Sequence, residues 1–423
     1  MGKHKKKKPE IRFKGFTDDW EQRKLGDYII EYQEVTTENN QYPPLTSSRK
    51  GIFLQKDYFA GNQIASTDNT GYNIVPFGYF TYRHMSDDEI FHFNINDIIE
   101  NGIVSTLYPV FTTTKGIDSK YLQYQLNHGY EFTRYALSQK QGGSRTYMYL
   151  NKLKMLHITI PTAVKEQKAI ANCLMKIDNL ITLHQRKLNK LKKVKKSMLE
   201  KMFPQNGEIE PQIRFCGFNS TWEQRKLGWL VDNDVIEAPK DGNHGEKHPT
   251  SDEYVEKGIP FLMASDIHNG RVDLENCKYI TKERAKRLDK GFAREGDVLL
   301  THKATIGEVA ILEGLQEEYA MLTPQVTYYR ILDNKRLSHK YLYAVFHSES
   351  FQNEMQTKAA QSTRPYIGIS AQQNLTISLP CSTKEQQRIG EYFASLDTFI
   401  TLHQRKLEKL KKIKKAMLEK MFV

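Results

Sequence analysis

Two polar loops carry side chains of the types that hydrogen-bond to nucleic-acid bases. One loop spans residues 139–147 and the other spans residues 361–366. Their candidate side chains are Lys140, Gln141, Ser144, Arg145 and Tyr147 in the first loop, and Gln361, Ser362, Thr363, Arg364 and Tyr366 in the second. Arginine, lysine, glutamine, serine and threonine read base edges when a loop aims them into a groove of the duplex. Arg145 and Arg364 could instead hold each loop against its own domain, and this alternative stays open.

Three shorter polar groups lie at the ends of strand-like runs. They are Ser48, Arg49 and Lys50; Arg83 and His84; and His302 and Lys303. Each group is a further candidate for DNA contact, although a solvated turn has the same composition. Trp20 and Trp222 are predicted to be core anchors rather than platforms for base stacking.

Sequence signatures of catalysis are missing. None of the 25 glycines forms a GxG, so neither a dinucleotide fingerprint nor a glycine-rich S-adenosylmethionine loop can be written. The chain also lacks GxxxxGK[ST], HExxH and GxSxG. It is therefore predicted to be non-catalytic, with no catalytic residues, metal or cofactor of its own.

The four cysteines lie far apart without a CxxC pair, which argues against a disulfide framework or a zinc knuckle. The basic leader Lys3 to Lys8 is followed by Pro9 and Glu10 rather than by an apolar run, so it is not a secretory signal. No apolar stretch approaches the roughly 18 residues that a membrane span needs. These features predict a cytoplasmic location and no membrane partner.

The net charge of +12 is concentrated in three segments: residues 1–14, 184–203 and 403–422. The rest of the chain is mildly acidic. Basic segments of this kind can contact phosphate and make affinity depend on salt, but they cannot read sequence. Solvated outer faces of helices would explain the charge equally well.

An internal duplication organises the chain. Residues 11–26 recur at 213–228 with 12 of 16 positions identical, and residues 165–203 recur at 384–422 with 25 of 39 identical. Between these repeats, residues 27–160 (the first insert) and residues 229–380 (the second insert) differ strongly. Each half is thus a similar frame around a divergent insert.

The longer repeats predict two helices, each with an apolar heptad seam. Antiparallel pairing would relate the halves by a pseudo-twofold axis and bring His184 and His403 together near the crossing point. The seam residues taken to form this contact are Ile181, His184, Leu188, Leu191, Ile400, His403, Leu407 and Leu410. The two histidines are interpreted as polar residues that fix register, with a metal or pH-switch role as the alternative.

This arrangement resembles the specificity subunit of type I restriction-modification systems. The resemblance rests on the Trp-Glu-Gln-Arg-Lys-Leu-Gly box, an insert, and a Lys-Glu-Gln-led helix ending in Met-Leu-Glu-Lys-Met-Phe, all present twice. It implies an α+β fold, with two mixed α/β target recognition domains joined by two long antiparallel coiled-coil helices. The expected domains are residues 1–160, a first helix at 161–204, a linker and second recognition domain at 205–380, and a second helix at 381–423.

The resemblance also implies the function. Each insert would read one half of a bipartite double-stranded DNA site, and the helices would fix the spacing and bind two modification subunits. Restriction subunits would join them, and S-adenosylmethionine, ATP and Mg would be bound by these partners rather than by this chain. The competing hypothesis is a duplicated coiled-coil scaffold that binds proteins without reading DNA. A nuclease acting alone is a third.

Overall fold

The computed structural model describes residues 8–61, 65–140, 144–205, 207–360 and 365–423. Their contacts divide the chain into two compact units. The first unit runs to Leu183 and includes Leu407–Val423, and the second unit holds His184–Lys406. Each long helix therefore contributes one part to each unit. In the described part of the chain, no helix has both the length and the apolarity to cross a lipid bilayer.

The strands of the first unit are short. They are β1 (Glu21–Lys24), β2 (Ile29–Tyr32), β3 (Leu45–Ser48), β4 (Gly51–Leu54), β5 (Asn73–Pro76), β6 (Phe80–Thr81), β7 (Met85–Ser86), β8 (Asn94–Ile95), β9 (Asn101–Val104), β10 (Val110–Thr113), β11 (Thr146–Tyr147) and β12 (His157–Ile160). An antiparallel sheet has the order β2-β10-β6-β8, and β1 pairs with β12, β3 with β4, β5 with β9 and β7 with β11.

The first unit also contains helices. They are α1 (Gln55–Tyr58), α2 (Ser119–His128), α3 (Tyr130–Ser138), α4 (Leu150–Lys154) and the start of α5 (Val164–Lys201). The carboxylate of Asp118 caps α2 by accepting from the backbone N–H of Tyr121 at 3.0 Å. Gly129 separates α2 from α3, and a Cβ there would lie 2.3 Å from the carbonyl oxygen of Gln125. Only glycine fits this close turn between the helices.

The second unit contains a different set of strands. They are β13 (Trp222–Lys226), β14 (Lys240–Asp241), β15 (Tyr254–Val255), β16 (Ile259–Leu262), β17 (Ile267–His268), β18 (Arg271–Val272), β19 (Lys278–Ile280), β20 (Phe292–Ala293), β21 (Val298–Thr301), β22 (Val309–Ile311), β23 (Ala320–Leu322), β24 (Val326–Tyr329) and β25 (Thr376–Pro380). Two larger sheets have the orders β14-β24-β21-β22 and β15-β19-β16-β23-β20, and β13 pairs with β25 and β17 with β18. The helices are α6 (Leu227–Asp232), α7 (Lys282–Lys286), α8 (His339–Phe346), α9 (Glu349–Ala359), α10 (Ile369–Gln372) and α11 (Thr383–Met421).

One antiparallel strand pair closes each insert. β1 pairs with β12, with Glu21 opposite Ile160, and β13 pairs with β25, with Trp222 opposite Pro380. The chain thus enters and leaves each insert at neighbouring points. The inserts nevertheless differ in sheet number and order, while the closing strand pair is present in both units.

A buried ion pair fixes each frame to its long helix. Arg12 donates to both carboxylate oxygens of Glu166 at 2.7 and 2.8 Å, and Arg214 donates to those of Glu385 at 2.6 and 2.9 Å. The indole N–H of Trp20 also donates to Glu166 at 3.3 Å. The Glu166 side chain is 2% exposed and that of Glu385 is fully buried. The repeated arginine and glutamate of the sequence therefore meet in the structure.

Trp20 and Trp222 are both buried, which confirms their prediction as core anchors. Trp20 packs edge-on against Tyr121, and Trp222 packs edge-on against Phe203 and Tyr341. Each indole thus joins the frame to a helix of its own insert. In the second unit the end of α5 completes this core.

The long helices run antiparallel where they meet. In the second unit His184 contacts His403, Lys195 contacts Asp397, and Phe203 stacks near Phe393, so the partner number falls as the chain advances. The predicted α+β class, with two mixed α/β domains and two long antiparallel helices, is confirmed. The domain boundaries stay a prediction, since the compact units cut each long helix near its middle.

The same polar cluster interrupts the seam in both units. Lys195 donates to Asp397 at 2.6 Å, and the hydroxyl of Tyr343 donates to the other oxygen at 2.7 Å. In the first unit the corresponding residues are Lys414, Asp178 and Tyr124, with distances of 2.6 Å for both contacts. Lys195 and Lys414 occupy positions of the heptad seam where apolar residues are expected, and each neutralises an aspartate on the opposite helix.

Candidate nucleic-acid interface

Candidate residues from separate stretches of sequence lie on one surface of the first unit. The turn between β3 and β4 carries Arg49 and Lys50, both exposed. A cleft of about 250 Å³ is lined by Ser48, Arg49 and Arg83. The structure thus brings the hairpin turn beside Arg83, although 34 positions separate Arg49 from Arg83 in the chain.

The pairing of β7 with β11 brings the later loop to the same place. Ser86 lies opposite Thr146, so Arg145 and Asp87 are the next residues beyond this end of the strand pair. The Nε of Arg145 donates to Asp87 at 2.8 Å. Ser144 is exposed beside it, and Gln141 lies outside the described residues.

Three candidate cations each contact an acidic side chain. Arg49 donates to both carboxylate oxygens of Asp88 at 2.5 and 2.7 Å, and Lys140 forms an ion pair with Glu89. Hydrogen bonds from Arg49 and then from Ser86 lower the pKa of Asp88 to about 2. These acidic partners could not be identified from the sequence, because strand pairing and packing bring them to the cations from other parts of the chain.

Two tyrosines provide flat, exposed surface next to these cations. The rings of Tyr147 and Tyr149 stack with centroids 5.8 Å apart, and both are at least a third exposed. His84 packs its ring 4.8 Å from that of Tyr149 and is itself buried. Aromatic side chains of this kind can stack on bases. Tyr149 was not among the predicted residues, although its spacing of two from Tyr147 on an extended segment could have indicated it.

Some candidate polar groups are already used within the protein. The hydroxyl of Ser48 donates to the carbonyl of Gly51 and accepts from the N–H of Lys50, both at 3.1 Å. The burial of His84 lowers its pKa and limits its access to a ligand. We therefore interpret Ser48 and His84 as residues that position the surface.

The second unit places His302, Lys303 and Tyr366 together. Lys303 and Tyr366 form a backbone bridge, and the Lys303 ammonium lies 5.9 Å from the centre of the tyrosine ring. His302 is fully buried, and its Nδ1 lies 3.0 Å from the carbonyl oxygen of Ile367. Burial lowers the pKa of His302 and argues for a role in holding the loop rather than a direct DNA contact. Gln361, Ser362, Thr363 and Arg364 lie outside the described residues.

The predicted meeting of His184 and His403 is confirmed, with their Nδ1 atoms 2.8 Å apart. At this distance one ring donates and the other accepts. Burial, followed by the nearby His184, lowers the pKa of His403. Residues 8–423, outside the four undescribed gaps, contain no group of three or more metal-binding side chains. The role of the two histidines in fixing register stays a prediction.

The other seam residues are covered to different degrees. Leu188, Ile400 and Leu407 are buried. Ile181, Leu191 and Leu410 are partly exposed.

Comparison with known protein families shows to which family the chain belongs. The family model described as "Type I restriction modification DNA specificity domain" matches residues 17–193 and again residues 219–412. This chain belongs to the type I restriction-modification specificity family. The predicted resemblance is therefore confirmed, and DNA recognition is favoured over the scaffold alternative.

Related members and a solved structure agree with this assignment. This specificity protein is 25% identical over 423 residues to the type I restriction enzyme MjaVIII specificity subunit of Methanocaldococcus jannaschii, covering 95% of this chain and 91% of that one. It is 23% identical over 195 residues to the EcoBI specificity subunit of Escherichia coli, covering 45% and 40%. The crystal structure of the type I S subunit from M. genitalium has the same fold, with a TM-score of 0.62, 14% identity, and coverage of 98% and 99%.

The specificity protein also exposes apolar residues outside the helical seam. Leu180 and Leu183 are 44% and 46% exposed, and Phe399 and Leu402 are 52% and 44% exposed. These pairs occupy equivalent positions in the two repeats. We call them the outer apolar pairs. These residues lie outside the heptad seam and were not predicted, although the repeat of a leucine or phenylalanine three positions before a leucine could have indicated them.

Proposed function

We propose that this chain is the DNA-reading, non-catalytic subunit of a type I restriction-modification complex. Its two inserts read the two halves of a bipartite, asymmetric duplex site. Family membership over both halves is the observation that carries the proposal. The closing strand pairs support it, because one frame holds two inserts with different sheets, and different surfaces can read different sequences.

The first recognition surface combines Arg49, Arg83, Arg145 and Tyr147. Guanidinium groups suit the guanine edge in the major groove, and they also bind phosphate in a bidentate manner. Lys50, Lys140 and Ser144 extend this surface. In the second unit Lys303 and Tyr366 form the described part of the corresponding surface, and the segment 361–364 is proposed to complete it.

The outer apolar pairs are the proposed contact sites for two modification subunits. Exposed apolar residues that cluster on a helix indicate a protein interface. Since one pair occurs in each repeat, two equivalent partners can bind, one at Leu180 and Leu183 and one at Phe399 and Leu402. Adenine methylation then belongs to these partners, which must flip the base out of the duplex to reach it. We place S-adenosylmethionine, ATP and Mg in the partner subunits, and the complex in the cytoplasm.

The test of this function is an exchange of the first insert, residues 27–160, for that of a relative with a different target. Methylation-sensitive sequencing of a host carrying the hybrid should show one half of the methylated motif changed and the other half unchanged. Exchange of residues 229–380 is the matched experiment and should change the other half. Retention of the original motif after both exchanges would contradict the proposal.

The partner sites are tested separately by Leu183→Glu and Leu402→Glu. Each change should remove one of two co-purifying modification subunits, as measured by the mass of the complex in light scattering. Leu332→Glu is the matched control, since Leu332 is 54% exposed and lies on neither long helix. Full partner occupancy in the two helix variants would refute this assignment of the interface.

A further inference from the structure

The three cations of the first recognition surface that have ionic partners all contact one short acidic segment. Residues 87–89, Asp-Asp-Glu, directly follow β7, and we call them the acidic bend. Arg145 pairs with Asp87, Arg49 with Asp88 and Lys140 with Glu89. The cations come from separate parts of the chain, yet they meet three consecutive carboxylates. This convergence balances three positive charges with three negative ones at the proposed DNA surface.

The acidic bend has a defined local structure. The hydroxyl of Ser86 donates to Asp88 at 2.8 Å, and the N–H of Ile90 donates to the same oxygen at 3.3 Å. Glu89 has a φ of 60°, in the left-handed region that residues with a Cβ seldom adopt. Its side chain is 17% exposed. A strained backbone that aims a carboxylate at a candidate DNA-binding lysine is a feature expected at functional sites.

Stability does not explain these ion pairs. The side chains of Arg49, Lys140 and Arg145 are 57%, 52% and 50% exposed. Ion pairs between exposed side chains add little to the free energy of folding, because water and salt screen them. The same exposure lets an incoming phosphate replace each carboxylate. Arg83, in contrast, has no ion-pair partner within the described residues, so it meets DNA without such an exchange.

We propose that the acidic bend is an intramolecular competitor for DNA phosphate, which weakens binding to every duplex and so lowers the fraction of the complex held on unspecific DNA. This inference rests on the proposed function of the chain. Phosphate contacts supply most of the affinity for unspecific DNA, whereas a specific site adds contacts to base edges. A carboxylate that must be displaced penalises both complexes equally, so the chain is held less tightly on unspecific DNA while the ratio of the two affinities stays the same.

The salt dependence of binding gives this idea a magnitude. Each phosphate neutralised by a cation contributes about −0.9 to the slope of log K against log salt on B-DNA. Carboxylates released from the cations take up ions from solution and offset part of this effect. Neutralising the bend should therefore make the slope more negative by about 1 to 3, because three cations are involved.

The experiment uses the full chain co-expressed with its modification subunits and the triple variant Asp87→Asn, Asp88→Asn, Glu89→Gln. Binding to a labelled mixed-sequence duplex and to a duplex carrying the methylated motif is measured over a series of salt concentrations. We expect affinity for the mixed-sequence duplex to rise about tenfold or more at low salt, with a steeper slope. The affinity for the motif should rise by a similar factor, because the displacement costs the same in both complexes. Asp87→Asn alone, which removes only the contact to Arg145, should give a smaller effect in the same direction.

The matched control is the triple variant Glu21→Gln, Glu31→Gln, Asp97→Asn. It removes the same charge from the same unit, at ion pairs with Arg23, Lys154 and Lys120. If both triple variants changed DNA binding equally, the effect would come from net charge rather than from the position of the acidic bend, and the inference would be overturned. Unchanged binding by the acidic-bend variant would overturn it as well. If the wild-type complex itself does not prefer the motif, the proposed function fails instead, so the two failures are distinguishable.

Discussion

Replacing Arg12 by alanine should destabilise the first unit more than almost any surface change. The carboxylate of Glu166 is 2% exposed and receives two hydrogen bonds from Arg12 at 2.7 and 2.8 Å. Among the described residues, the longer contact from the Trp20 indole is what remains for that charge in Arg12→Ala. Removing one partner of a buried pair costs about 3–5 kcal/mol, mostly because the other charge stays buried without compensation.

A double-mutant cycle separates this penalty from the loss of the arginine side chain. Arg12→Ala combined with Glu166→Gln should recover a large part of the stability, because a neutral amide can still accept from Trp20. Arg214→Ala is the matched control, since it breaks the equivalent pair with Glu385 in the second unit.

Hydrogen exchange in increasing urea is the appropriate measurement, because the units need not unfold in a single two-state transition. Protection should fall in the first unit for Arg12→Ala and in the second unit for Arg214→Ala. A loss below about 1 kcal/mol for Arg12→Ala, the range of exposed ion pairs, would refute the reasoning from burial. If either variant lowered protection equally in both units, the Arg12–Glu166 and Arg214–Glu385 pairs would not have separate roles.

Two further changes test the second unit. Burial, and then the charge of Lys195, lower the pKa of His347 to about 4. Between about pH 4 and 6.5 the unfolded state therefore binds a proton that the folded state does not bind. The contribution of His347 to the free energy of unfolding is fully present above this pH range and is lost as the pH falls through it. His347→Gln should therefore remove about 2 kcal/mol of the difference in unfolding free energy between pH 7 and pH 5, and an unchanged difference would contradict this cause. Gly390→Ala should destabilise the unit by about 1–3 kcal/mol despite the better helix propensity of alanine, because the new Cβ would lie 2.6 Å from the backbone of Lys340. Ala171, at the equivalent position of the first repeat, is the control, and Ala171→Gly should cost about 1 kcal/mol in urea unfolding; a stabilised Gly390→Ala would show that the contact can relax.

The repeated parts of the fold were predictable from the sequence. Helices expected at 165–203 and 384–422 occur as Val164–Lys201 and Thr383–Met421. Heptad periodicity can be recognised within the sequence of one helix, so the helix is predictable without knowing which helix packs against it. The pairing of His184 with His403 followed from the register of the two copies.

Contacts between distant segments, other than the pairing of the two repeats itself, were not predictable. Lys195 interrupts the apolar seam because it forms an ion pair with Asp397, which is 202 positions away in the chain. The acidic bend contacts Arg145 only after β7 and β11 have paired, and it contacts Arg49 and Lys140 only because the β3–β4 turn and the segment after α3 pack beside it. His302 directly follows a strand, a position typical of surface residues. In the structure it is buried, and its Nδ1 lies within hydrogen-bond distance of the carbonyl oxygen of Ile367. Composition near a strand end indicates a loop, and only the packing decides which of its side chains face outward.

The polar cluster of the helices has a consequence for how such a chain can arise. Asp178 and Tyr124 come from one copy of the repeat, but their lysine, Lys414, comes from the other copy, and the reverse holds for Asp397, Tyr343 and Lys195. A half-length ancestor would have carried an aspartate and a lysine that could not satisfy each other within one molecule. Two identical ancestors associating as a homodimer would have satisfied both at once. Gene duplication and fusion would then have preserved this reciprocity while freeing the inserts to diverge.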